Sequence, residues 1–199
     1  ALAGPSEVMV LADETADAER VAADLLAQAE HDPEAEALLI TTDEALAAAV
    51  ETALERQLSS LPTAEVARAS LARHGAIVVV NERADLFDAA NRRAPEHLHL
   101  HVRDLEAAAA ACSAYGGLFI GEDSAEVFGD YCAGGNHVLP TAGAARYTAG
   151  LSVHTFMRPL ANQRLTSAGA SKLSQTTAAL ARIEGLEGHA RAALLRHRP

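Results

Sequence analysis

Five short strand-like runs, the first four each followed by a stretch of helical periodicity, leave this chain few folds to adopt. Val8-Met9-Val10-Leu11 reads as a buried strand, and Ala37-Leu38-Leu39-Ile40, 76–80, 98–102 and 118–120 read as further strands. Strands that alternate with helices imply a mainly parallel sheet with helices packed on it. The run Ala76-Ile77-Val78-Val79-Val80 reads as a strand of such a sheet covered on both faces.

The intervening helices are legible from their apolar faces and stops. One is expected from about Ala16 to His31, with Ala18, Val21, Ala22, Leu25, Leu26 and Ala29 on one side, before Pro33 forbids continuation. Thr41 and Glu44 suggest a capping box for a helix to about Leu61. Further helices are expected at about 63–74, ending at Gly75, at about 84–93 before Pro95, and from Asp104 to about Ala114. After Gly121 the pattern gives way to a long glycine-rich loop. A short apolar segment follows near Thr155 to Met157, and helices near 171–183 and 186–196, punctuated by Pro159 and Gly185. The expected organisation is an α/β domain over 1–150 and a small, mostly helical appendage over 151–199.

The stretch from Gly129 to Thr141 (GDYCAGGNHVLPT) sets an acid, an amide and an imidazole among glycines, a composition unsuited to the interior of a helix or strand. Glycines let backbone approach a ligand, and loops on a rigid scaffold carry chemistry. Asp130 is a candidate hard-oxygen ligand. His137 could hold a carboxylate or a metal, although both residues also serve as ordinary turn formers. Gln28 and His31, three residues apart, lie on neighbouring positions of one helix side and could offer a divalent ion two ligands; the plainer reading is a solvated helix end. Glu96 and His97, after Pro95 at a strand entrance, supply a carboxylate and an imidazole for general acid–base work. His97, His99 and His101 alternate with Leu98, Leu100 and Val102, as on a half-buried strand with a polar outer face, and His99 and His101 are left to that role. His189 alone reads as a surface histidine.

Composition excludes several classes. A net charge of -11 disfavours nucleic acid, and the one basic group, Arg191, Arg196 and Arg198, reads as a helix C-terminus complementing its dipole. No apolar run reaches the roughly 20 residues needed to span a bilayer. Two cysteines, Cys112 and Cys132, form no CxxC pair and suggest reduced thiols in a cytoplasmic protein. The N-terminus shows no basic segment followed by an apolar core, so no signal peptide is expected. No GxGxxG, GxxxxGK[ST] or GxSxG motif is present, so the residues themselves give no argument for a nucleotide cofactor or a serine hydrolase.

Read together, Ala3-Gly4-Pro5-Ser6-Glu7, 24–31 (DLLAQAEH), Ala94-Pro95-Glu96-His97-Leu98, Gly129-Asp130-Tyr131, 136–141 (NHVLPT) and Glu184-Gly185-Leu186 resemble the histidinol dehydrogenase family in order and spacing. The resemblance implies an incomplete Rossmann-like sheet. It implies four zinc ligands, Gln28, His31, Asp130 and His189, and a catalytic pair, Glu96 and His97. Substrate contacts would come from Ser6, His137 and Glu184 together with Gln28, His31, His97, Asp130 and His189. It further implies oxidation of L-histidinol through L-histidinal to L-histidine with NAD, by a homodimer whose C-terminal segment reaches the partner's site, so that Glu184 and His189 act in cis or in trans. Family chains are about twice as long, and their nicotinamide-binding half has no counterpart here, so no cofactor-binding residue is expected on this chain. The abrupt start suggests a fragment, a processed form or one part of a split enzyme. Gly135 replaces the bulkier residue usual before Asn-His. Two other readings stay open: a metal-dependent hydrolase using Glu96 as base, and a non-catalytic zinc-binding or dimerisation module.

Overall fold

The computed structural model describes residues 4–197, so the first three residues of the chain and Arg198 of the basic group lie outside the described residues. All five expected strands are present: β1 (Glu7–Ala12), β2 (Glu36–Thr41), β3 (Gly75–Val79), β4 (His97–His101) and β5 (Gly117–Ile120). They form one sheet in the order β3-β2-β1-β4-β5, every pair parallel. Between and after them lie α1 (Ala18–Ala29), α2 (Glu44–Leu58), α3 (Ala64–His74), α4 (Arg83–Arg93), α5 (Leu105–Ala111), α6 (Glu126–Tyr131), α7 (Ser167–Ile183) and α8 (Glu187–Leu194).

The two faces of the sheet are filled from different helices, as strand periodicity requires. Val8, Val10, Ala12, Ala37 and Leu39 pack against Val21, Leu25 and Ala29 of α1, Val50 and Leu54 of α2 and Ala67 of α3. Met9, Leu11, Leu98 and Leu100 face the other way, onto Leu86 and Ala90 of α4 and Ala108 of α5. Burying each such leucine contributes roughly 1.5–3 kcal/mol. This alternation fixes the orientation of β4: with Leu98 and Leu100 on the α4 side, His97, His99 and His101 must point to the α1 side.

Several expectations are corrected. β3 is an edge strand with Val78 and Val79 more than 40% exposed, not a strand covered on both faces. The reason is connectivity: α2 and α3 cover one face before β3, and α4 then crosses to the β1–β4 side. The cap of α2 is Asp43, whose carboxylate accepts the Ala45 N–H, while Thr41 belongs to β2. Asp43→Ala should therefore cost about 1 kcal/mol in urea unfolding, whereas a functioning Thr41–Glu44 box would leave Asp43 neutral. The segment expected to be loop throughout contains α6, a six-residue helix that includes Gly129 and Asp130.

Two compact units are distinguished, residues up to Phe156 and residues from Met157 onward. The second is a helical hairpin in which Ala178 and Ala181 of α7 pack on Ala190 of α8. Among the described residues no helix is long and apolar enough to cross a membrane.

Candidate active and metal site

Pro95 and the left-handed Ala94 (φ 51°) end α4 and turn the chain into β4, which delivers Glu96 and His97 to the amino end of the sheet. Beside them, the residues entering β1 close the site. Glu96 Oε2 accepts from Ser6 Oγ at 2.6 Å and from the Glu7 N–H at 3.0 Å. Burial pushes the Glu96 carboxyl above its usual range, against the hydrogen bond from Ser6 and the attraction of His97. Glu7 is buried in turn: its Oε1 accepts the Ala142 N–H at 2.6 Å and lies 3.5 Å from Arg93.

His97 is 3% exposed, and its Nδ1 stands 3.0 Å from the Glu7 carbonyl oxygen. A carbonyl can only accept, so Nδ1 carries a proton here, and in the neutral ring the lone pair is on Nε2. That Nε2 is buried and has no hydrogen-bond partner. A neutral imidazole with a fixed tautomer and an open lone pair is the form a general base needs.

The short α6 supplies a residue that sequence reasoning missed. Glu126 is 4% exposed and sets Oε1 3.5 Å from His97 Nδ1 and Oε2 3.7 Å from His99 Nε2. One turn on, Asp130 shares its helix face, and ligand atoms of His31, Glu126 and Asp130 all lie within 4.8 Å of one another. The signal was available: Glu126 and Asp130 are at i and i+4, but only if 126–131 is read as helix.

Gln28 occupies the last turn of α1, and the His31 N–H bonds back to its carbonyl at 3.2 Å. Its side chain is fully buried, and neither the amide oxygen nor the amide nitrogen has a partner. An orphaned amide in a core costs about 1–3 kcal/mol, so it points to a group that satisfies it. An imidazole, an amide oxygen and carboxylates form a donor set suited to zinc or a related divalent ion. The residues present fit a metal, with Glu126 as an unexpected extra carboxylate.

The structure thus brings together Ser6, Glu96 and His97, and through Glu126 joins them to His31 and Asp130. Ser6 is engaged by Glu96. His137 lies in the exposed stretch after α6, where Asn136 Oδ1 and Nδ2 hold the backbone of Val138 and Leu151. Glu184 and His189 belong to the second unit, and both are exposed.

His99 and His101 depart furthest from expectation. Their face is buried, with both rings about 3% exposed or less. Asp24 of α1 places Oδ2 3.2 Å from His99 Nδ1 and 3.2 Å from His101 Nε2. Burial opposes ionisation of Asp24, but the two imidazole hydrogen bonds outweigh it and hold the carboxyl at about 2. Burial likewise opposes the His99 imidazolium, yet Asp24 and the Glu126 carboxylate raise its pKa above the ordinary histidine value.

Comparison with known proteins gives a consistent family. The histidinol dehydrogenase family model matches residues 1–197. A histidinol dehydrogenase of Rhizobium meliloti is 49% identical over 195 residues, 98% of this chain and 45% of that protein. One from Thermus thermophilus is 47% identical over 98% of this chain and 47% of its own length. A crystal structure of histidinol dehydrogenase from Elizabethkingia anophelis superposes with a TM-score of 0.87 at 37% identity, covering 98% of this chain and 45% of that one. The chain therefore spans about half the length of the curated relatives it matches.

Proposed function

The chain belongs to the histidinol dehydrogenase family, and we propose that it supplies the metal, substrate and acid–base residues for zinc-dependent, NAD-linked oxidation of L-histidinol through L-histidinal to L-histidine. The observation that carries this reading is the contact made by Glu126, which sets the His97 imidazole against the His31–Asp130 group.

Gln28, His31 and Asp130 would hold the zinc, with His189 as a fourth ligand from this chain or a second copy. When bound, zinc would supply a template and Lewis acid and NAD a hydride acceptor. His97 Nε2 then receives the alcohol proton, while the Glu7 carbonyl stabilises the imidazolium through Nδ1–H. Glu96, its carboxyl raised by burial, is suited to draw a proton from the water that hydrates the aldehyde before the second oxidation. Ser6 keeps that carboxylate oriented, a positioning role in addition to the expected substrate contact. His137 and Glu184 would contact the substrate from their exposed segments.

A homodimer fits the second unit, whose α7 leaves Leu173, Leu180 and Ile183 exposed beside Leu186. We place the protein in the cytoplasm, where Cys112 and Cys132 stay reduced. His31→Ala should weaken zinc binding at this site at least about tenfold and remove zinc-dependent histidinol binding in calorimetry. Unchanged zinc content and histidinol affinity would overturn the assignment.

A further inference from the structure

A second group of metal-ligating side chains lies on the same buried sheet face, toward the carboxyl end of β4. We propose that Asp24, His99 and His101 form a separate site for a zinc-like divalent cation. Strand period places His99 and His101 on one face, their rings near-parallel at 13° with centroids 6.0 Å apart. From α1, Asp24 directs a single oxygen, Oδ2, at both of them, 3.2 Å from each ligand nitrogen. Ligands bound at about 2.0–2.2 Å to a common ion stand roughly 3–3.5 Å apart, so Oδ2 already stands at ligand spacing from both nitrogens. The donor atoms lie within 4.8 Å of one another, and this group shares no residue with His31, Glu126 and Asp130.

One further observation points to a ligand. A cavity of about 410 Å³, lined by Thr15, Arg20, His101, Gly121, Glu122 and Asp123, opens directly on His101. It lies at the carboxyl ends of β4 and β5, beside the β1–β4 pair where the strand order diverges, the usual place for a ligand in such a sheet. Through it a cation could enter and keep water in its remaining positions. Arg20 already pairs with Asp123 and Glu122, leaving the rim one negative charge in excess. Two imidazoles and one carboxylate select a borderline ion such as zinc, cobalt or iron(II) over calcium or magnesium.

The test is cobalt(II) loading of the chelator-stripped chain, read as cobalt per chain and visible absorption. Cobalt retained by His31→Ala, and lost when His101→Gln is added, is the expected result. Wild-type cobalt content and spectrum unchanged by His101→Gln would overturn the proposal. Asp24→Asn, nearly identical in shape, should lose the same cobalt, and it decides the matter if His101→Gln fails to fold. Loss of all cobalt in His31→Ala alone would also overturn this site while leaving the proposed function intact. The reverse pattern would support this site and count against the His31 site.

Discussion

Replacing His97 with asparagine is expected to lower histidinol-dependent NADH formation by about a hundred- to ten-thousand-fold without changing bound zinc. The asparagine amide can still donate to the Glu7 carbonyl, as Nδ1–H does now at 3.0 Å, so the local packing survives. What disappears is the lone pair on Nε2, the one ring atom without a partner. The assay would pair the chain with the part it does not cover of a relative such as the Thermus thermophilus protein, of which this chain spans 47%. Near-normal turnover in His97→Asn would remove His97 from proton transfer. A second readout needs no turnover: imidazole nitrogen shifts should show His97 protonated on Nδ1. Glu96→Gln separates the two half-reactions, because it spares removal of the alcohol proton but not hydration of the aldehyde.

The parts of this fold and site that were legible in the sequence follow one physical line. Strands came through because short apolar or alternating runs bounded by turn formers have few other uses, and all five were found. Glu96 and His97 stood out because Pro95 announced a turn into a strand. The failures share a cause, which is that burial is a property of neighbours. The alternation of His97, His99 and His101 with leucines gave the correct two faces, but the histidine face was taken for the solvent side. Only the tertiary arrangement shows that α1 and α6 bring Asp24 and Glu126 over it. Gln28, read as part of a solvated helix end, is fully buried for the same reason. Glu126 was lost because a glycine inside α6 overrode the helical spacing of Glu126 and Asp130. The edge position of β3 was equally invisible, since an apolar run does not reveal where its helices cross.

Asp24→Ala is expected to destabilise the metal-free protein by about 3 kcal/mol in urea unfolding with chelator present, the low end for breaking a buried ion pair. Asp24 keeps 13% side-chain exposure, which is why the low end applies. One carboxylate oxygen serves two imidazoles that are otherwise without hydrogen bonds, so its removal strands both rings in the core. The dependence on pH follows from the direction of the shifts. The Asp24 carboxyl falls from 3.8 to about 2 on folding, so the native state favours its charged form. Its contribution, about 2 kcal/mol at 1.36 kcal/mol per unit, is fully present above the unfolded value and is lost as pH falls toward 2. His99 has the opposite sign: its raised pKa contributes below the ordinary histidine value and is lost as pH rises through the folded one. The stability gap between wild type and Asp24→Asn should therefore be widest between about pH 4 and 6, shrinking on both sides. A gap that stays constant from pH 3 to 8 would mean that the Asp24–histidine contacts carry no net charge interaction, and that packing alone holds the three side chains together.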